Sequence, residues 1–313
     1  MAAEILQEVA VAVAPTEHLS VHDREQSLEL PPLTAGRIAI YALLILVALY
    51  YLAPLYVMLN TSIKSLEEIR SGNLMSLPLA PSTAAWAKAW GSACTGVDCA
   101  GLAPYFWNSV RITLPAVLIS TFIGSLNGYV LAQWRFRGAE VVFTALMVGC
   151  FIPFQVVILP MARLLGMVDL ANTTTGLVFV HVVYGTAFTT LFFRNYYITV
   201  PEELIKAARI DGAGFFMIYR RIILPLSLPI FMVCFIWQFT QIWNDFLFGI
   251  VFGGSNAKPI TVALNNLVNT STGATEYNVN MAAAVIAALP TLVVYILAGK
   301  YFVRGLTAGA VKG

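Results

Sequence analysis

The apolar positions of this chain fall in long unbroken runs, without the one-face periodicity of a helix on a soluble protein. Six runs approach or exceed the roughly 20 residues that a helix needs to cross a bilayer: residues 38–59, 106–133, 139–161, 175–193, 222–252 and 281–303. The first reads IAIYALLILVALYYLAPLYVML. Pro54, Pro115, Pro153, Pro160 and Pro290 lie inside the runs, which is tolerated where neighbouring helices satisfy the freed backbone groups. The fifth run is long enough to tilt, or to kink at Pro225 and Pro229. The pattern predicts an all-α membrane protein: six transmembrane helices packed as one bundle over residues 37–303, between tails at 1–36 and 304–313.

One segment, 199–221, interrupts the pattern. The stretch EELIKAARIDGAGFFMIYRRIILP, from Glu202 to Pro225, carries seven charges between two of the most apolar runs. Thr199 followed by Glu202 fits a capping box, and Pro201 suits a first helical turn. A short helix is expected from Val200 to Asp211, ended by Gly212. Its apolar face would hold Leu204, Ile205, Ala207, Ala208 and Ile210, and the small residues allow close approach by another surface. A helix lying on lipid usually carries a basic polar face. Here acids and bases are mixed, which favours a protein partner.

Composition agrees with the bilayer reading. Of 313 residues, 59% are hydrophobic and 11% charged, with a mean hydropathy of +0.78, against about 25% charged in soluble domains. A net charge of +2 without basic patches and interleaved aromatics excludes nucleic-acid binding. Residues 1–36 carry six acids and one base, unlike a signal peptide, and read as a cytoplasmic tail with a weak helix near Ile5–Val13. Twelve of the 18 Lys and Arg residues fall on one side if the N-terminus is inside. That bias puts both termini and the charged segment in the cytoplasm of a multi-pass plasma-membrane protein. The loop 61–105 is then outside, where Cys94 and Cys99 meet an oxidising compartment suited to a small disulfide; two free thiols are the alternative. Cys150 and Cys234 read as buried hydrophobes. His18 and His22 stand four apart without further ligands, and no Cys/His cluster has metal-site spacing.

Trp237, Gln241, Asn244 and Phe248 are spaced by four, three and four, which places them on one helical face, with Gln238 and Asp245 beside it. An aromatic ring with amides suits a neutral sugar; amides also join helices to each other. Asn127 and Gln155 read as packing polars, His181 as a packed neutral imidazole without an evident acid partner, and Arg111 as a side chain snorkelling to the interface. There is no GxxxxGK[ST], HExxH or GxSxG. The chain is therefore expected to bind no ATP, metal or other cofactor and to catalyse no reaction, so energy must come from another polypeptide. Residues 38–160 and 175–303 show no internal repeat, so six helices read as half of a pathway. An ion-coupled carrier would need more charge along its path than Asp245, and a membrane enzyme would need a nucleophile and base.

AARIDGA followed by RIILPLSLP resembles the cytoplasmic-loop signature of ABC importer permeases. The family pattern matches at Ala207, Ala208, Asp211, Gly212, Ala213, Leu224 and Pro225, and departs at Lys206, where the family has Glu. WNSVRIT, QWRFRG, FIPFQVVILP, WNDFLF and the terminal YFVRGLTAGAVKG are similar, in order, to motifs of the carbohydrate-uptake, maltose-type branch, over residues 107–313. The Cys94–Cys99 loop resembles permeases of the glucose/mannose group. The resemblance implies the type I importer permease fold, with 199–221 as a coupling helix seated on a nucleotide-binding subunit through Glu203, Ala207, Ala208, Asp211, Gly212 and Ala213. It implies a second permease subunit, a dimer of ATP-binding subunits holding ATP and Mg, an extracytoplasmic sugar-binding protein, and a C-terminal tail ending in Lys312 and Gly313 that reaches the ATPase. The cargo expected is a monosaccharide such as glucose or mannose, with oligosaccharide, polyol or glycerol phosphate as alternatives. Trp237, Gln241 and Asn244 are the candidate substrate path.

Overall fold

Every apolar run is helical in the computed structural model, which describes residues 34–134, 136–255, 257–269 and 275–310, with side chains to residue 299. The described helices are α1 (Ala35–Ser62), α2 (Leu66–Ser71), α3 (Ala84–Gly91), α4 (Ala103–Gln133), α5 (Ala139–Phe151), α6 (Phe154–Met167), α7 (Thr174–Ile198) and α8 (Glu202–Ile210). They continue as α9 (Phe215–Ile218), a π-turn (Tyr219–Ile223), α10 (Leu224–Leu226), α11 (Leu228–Trp243), α12 (Leu247–Phe252), α13 (Ile260–Asn269) and α14 (Tyr277–Ala310). The described residues include no strand. The predicted N-terminal tail helix, His18, His22, Lys312 and Gly313 lie outside the described residues.

Four helices (α1, α4, α7 and α14) are long and apolar enough to cross a bilayer alone, and two bent pairs bring the number to as many as six. The third expected span is not continuous. It breaks at Ile152–Pro153, where α5 and α6 meet at 102°, because the residue before a proline leaves the α region. The fifth bends by 74° between α10 and α11, then stops at Trp243 and restarts as α12. The sixth begins at Tyr277 and stays helical through the expected tail to Ala310. Among the described residues the first expected span is divided: those up to Leu55 belong to one compact unit and those from Tyr56 onward to another.

Within the larger unit, α4 and α7 pack most closely. Gly124 and Gly128 face Thr189 and Phe193 of α7. A Cβ added at Gly124 would sit 2.5 Å from Thr189 Cβ, and one at Gly128 would sit 2.6 Å from Phe193 Cβ and 2.7 Å from Arg194 N. Small residues spaced by four along one helix let two backbones approach where lipid offers no hydrophobic drive. Thr189 Oγ1 donates to the Ser120 carbonyl at 2.9 Å across the same seam. On α11, Gln238 donates to Ser120 Oγ at 2.7 Å and occupies the space left by Gly185.

Two buried clusters lie along this seam. One joins Ala85, Ala89, Leu102, Ile112, Trp243, Ile260 and Ala283, with the Trp243 indole donating to the Ala287 carbonyl at 2.9 Å. The other joins Tyr129, Phe193, Tyr197, Ile205, Ala208, Ile218, Tyr219, Ile223 and Cys234. The clusters lie toward opposite ends of α4, which begins after the Cys94–Cys99 loop and ends beside α8.

Before α4, the loop is tied by polar contacts. Glu68 caps α2 with Ser65 and accepts from Leu79 N at 2.8 Å. These N–H donors, Ser65 first, hold its carboxyl below the usual carboxylate range. Lys64, buried, donates to the Asn73 carbonyl and to Ser76 Oγ.

Gly124→Ala should destabilise the protein by roughly 1–3 kcal/mol through overpacking of the seam. Gly149→Ala, where the added methyl meets nothing within 4 Å, should leave stability unchanged or slightly raised. Thermal unfolding of both variants in detergent checks this; equal midpoints would contradict the close-packed seam.

Candidate functional site

The charged segment folds as a short helix seated on the second cluster. α8 starts at Glu202 after Pro201, which makes no side-chain cap. The expected capping box does not form, because Thr199 ends α7 and its hydroxyl donates to the Tyr196 carbonyl at 2.7 Å. Glu202 and Glu203 in the first turn and Arg209 in the last match the helix dipole. The helix stops as a Schellman motif. Ala213 N donates to the Ala208 carbonyl at 2.9 Å and Gly212 N to the Arg209 carbonyl at 3.1 Å, with Gly212 at φ 81°. The Asp-Gly-Ala triplet thus has a local cause: its glycine adopts a left-handed backbone that side chains rarely accept.

The expected apolar face of α8 splits in two. Ile205 and Ala208 are buried, 1% and 8% exposed, and belong to the Tyr129–Tyr197 cluster. Leu204, Ala207 and Ile210 are exposed. Glu203, Ala207 and Asp211, four apart, form an outward stripe that runs into exposed Gly212, with Ala213 half-buried beside it. Of the predicted coupling residues, Ala208 is buried and Ala213 packs half-buried against the same cluster, while the others face outward. Lys206, at the family's Glu position, pairs with Glu202 at 3.1 Å on the helix surface. A cleft of about 460 Å³ separates α8 from the ends of α4 and α7, lined by Gln133, Trp134, Glu202, Lys206 and Arg209 among others.

The second cluster contains hydroxyl groups that sequence reading missed. Ser125 Oγ lies 2.7 Å from the Tyr197 hydroxyl and 2.9 Å from that of Tyr219. Ser227 Oγ lies 3.1 Å from the Tyr197 hydroxyl and donates to the Ile223 carbonyl. The Tyr129 hydroxyl donates to the Phe215 carbonyl at 3.1 Å, and Gln133 to the Tyr197 carbonyl at 3.1 Å. The sequence signal was faint: serines and tyrosines inside apolar runs, with no spacing rule to join them.

A cavity of about 330 Å³ lies against α11, with Trp237, Gln241, Asp245, His181, Tyr184 and Phe248 in its wall. Trp237 packs on Phe188, ring centroids 4.9 Å apart. The Tyr184 hydroxyl is buried without a hydrogen-bond partner. The predicted face holds for Trp237 and Gln241. Asn244 ends α11 and does not line the cavity, and Phe248 reaches it from α12. Asp245 accepts from Phe248 N at 3.2 Å and Gly249 N at 3.0 Å, which ties it to the first turn of α12. Asp245 also lies 3.8 Å from His181 Nε2, an acid neighbour that sequence separation had hidden.

Outside these sites, Cys94 and Cys99 are joined by a disulfide. Their loop is held by Thr95 Oγ1 donating to the Tyr105 hydroxyl at 3.0 Å and by Gly101 N donating to the Ala93 carbonyl at 3.0 Å.

The chain is similar to known proteins. Residues 110–307 match the family described as binding-protein-dependent transport system inner membrane component. The chain is 44% identical over 188 residues to a probable ABC transporter permease protein of Pyrococcus horikoshii, covering 59% of this chain and 68% of that protein. It is 35% identical over 297 residues to the xylose/arabinose import permease protein XacI of Haloferax volcanii, covering 88% and 93%. The fold is that of a chain in the crystal structure of a bacterial ABC transporter involved in the import of the acidic polysaccharide alginate. The TM-score is 0.74 at 20% identity, over 87% of this chain and all of that one. In this family the membrane subunits catalyse no reaction, and a separate ATPase subunit hydrolyses ATP. A helical bundle with broken spans, a protruding α8 and a family match over most of its length together place the chain among the permease subunits of binding-protein-dependent ABC importers.

Proposed function

We propose that this chain is one of two permease subunits of an ATP-driven sugar importer in the plasma membrane, with both termini and α8 on the cytoplasmic side. The observation that carries the coupling role is the division of α8: Ile205 and Ala208 bury it in the bundle while Glu203, Ala207, Asp211 and Gly212 stay outward. A helix fixed on one face and bare on the other can pass a push from a partner to the spans. The partner is a dimer of ATP-binding subunits, which holds ATP and Mg. The outward stripe seats there, with small Ala207 and Gly212 allowing close approach. Closure of that dimer then carries α8 with it and switches the spans between inward-open and outward-open arrangements, a rigid-body mode common in such switches.

The cargo is a neutral sugar delivered by an extracytoplasmic binding protein. Support comes from the cavity at Trp237 and Gln241, which offers a ring face and an amide beside the unpartnered Tyr184 hydroxyl. Gln241 and Asn244 are exposed on a face that the second permease subunit would cover. Glucose or mannose is proposed first, from the resemblance of the Cys94–Cys99 loop. Relatives that are xylose/arabinose and arabinooligosaccharide permeases put pentoses and oligosaccharides next.

Cells lacking this chain should regain uptake of labelled glucose, mannose, xylose or arabinose when it is restored. The double variant Asp211→Arg/Gly212→Trp should insert normally yet restore less than about a tenth of that uptake, since two buried contacts at an interface centre are each worth ≥ ~1 kcal/mol. Normal uptake by that variant would refute the coupling role of α8. Gln241→Ala should raise the apparent KM for the sugar about threefold to tenfold, the effect of losing one hydrogen bond. An unchanged KM would remove Gln241 from the path.

A further inference from the structure

Four hydroxyls of the second cluster form one connected run. Ser227 Oγ donates to the Ile223 carbonyl and to the Tyr197 hydroxyl. Ser125 Oγ bonds the hydroxyls of both Tyr197 and Tyr219. The run links Tyr219, the first residue of the π-turn, to Ile223, its last. In between it passes through α4 at Ser125 and α7 at Tyr197. Ser125, Tyr197, Tyr219 and Ser227 are all buried, so water does not compete for these bonds, and linked hydrogen bonds strengthen one another.

The location gives the run a mechanical meaning. A π-turn is a local irregularity in a helix, frequent at functional sites, and a serine bonded to the carbonyl four residues back often bends a helix. Both occur where α9, the π-turn and α10 turn by 74° into α11. The seam between α4 and α7 is rigid, so a joint tied to it keeps the coupling segment in register with the spans.

We propose that Tyr219, Ser125, Tyr197 and Ser227 act as positioning residues that transmit movement of α8 to the transmembrane helices. The proposal rests on the coupling role given to α8 above. It extends that role from the docking face to a named joint inside the bundle.

The test uses the complete transporter, purified with its partner subunits, and needs no identified cargo. A Gln241→Cys reporter in the cavity is labelled with a maleimide before and after ATP, Mg and vanadate; the same complex without the reporter gives the background from Cys150 and Cys234. ATP hydrolysis per assembled complex is measured alongside. Ser125→Ala removes the bonds to both tyrosine hydroxyls, whereas Tyr219→Phe removes one. Ser125→Ala should therefore shrink the ATP-induced change in labelling rate about tenfold and Tyr219→Phe about threefold, the range for losing two buried hydrogen bonds and one. Hydrolysis should stay within about twofold in both, because only neutral hydrogen bonds inside the permease are removed and the ATP site on the partner subunit is untouched. Thr186→Val, which deletes a hydroxyl bonded only to its own helix, should change neither. If Ser125→Ala does not assemble, Tyr219→Phe decides alone. An undiminished labelling change, or labelling and hydrolysis falling together, would overturn the proposal. Asp211→Arg/Gly212→Trp separates the two ideas. If it keeps the labelling change, the coupling role of α8 fails; if it loses the change while Ser125→Ala keeps it, only the hydroxyl run fails.

Discussion

The closeness of α4 and α7 sets the geometry of everything around them. Two helices in lipid gain nothing from burying apolar area against each other, since the tails are equally apolar. They gain from dispersion contacts and hydrogen bonds at short range, and only glycine at 124 and 128 permits that range here. Once the backbones meet, Ser120 comes within reach of Thr189 and Gln238. Further along, Ser125 and Tyr129 come within reach of Tyr197, Tyr219 and the Phe215 carbonyl. The cavity wall on α11 and the seat of α8 are both fixed by that one seam.

The rest of the design follows from having no reaction to catalyse. An importer subunit must hold a shape in two arrangements and receive force at one place. On the coupling role proposed above, α8 is a small handle for such force. Its buried side is apolar and joined to aromatic rings, and its outer side carries Glu203, Ala207 and Asp211 beside exposed Leu204 and Ile210, ending at a left-handed glycine. The joint beyond it, with a π-turn, a 74° bend and a serine back-bond, is the least regular part of an otherwise helical path. Irregular backbone at membrane depth survives where protein groups satisfy it, and here the tyrosine and serine hydroxyls do so.

Much of this was legible in the sequence. Long apolar runs announce spans because a bilayer dictates their length, and the Asp-Gly-Ala triplet announces a helix end because only glycine adopts that backbone freely. Helix continuity was harder to read. Pro153 lies inside an apolar run that stays apolar on both sides, and the polar pair Asn244-Asp245 reads equally as polar groups facing a pathway, so neither break at 152–153 or 244–246 announced itself as a helix end. The capping box at Thr199 failed because the preceding helix took its hydroxyl first. The approach of Asp245 to His181, 64 residues apart, and the meeting of Ser125 with Tyr219 depend on tertiary packing that no local spacing records. The face through Trp237 and Gln241 was right as far as α11 stays helical, and wrong where it stops.

Site-specific cross-linking tests the central claim most directly. A photoreactive amino acid placed at Ala207, on the bare side of α8, should yield an adduct containing the ATP-binding subunit in intact membranes. The same group at Trp107, exposed at the opposite end of α4, should not. An adduct at position 207 with lipid alone, or none that contains the ATPase, would contradict the account.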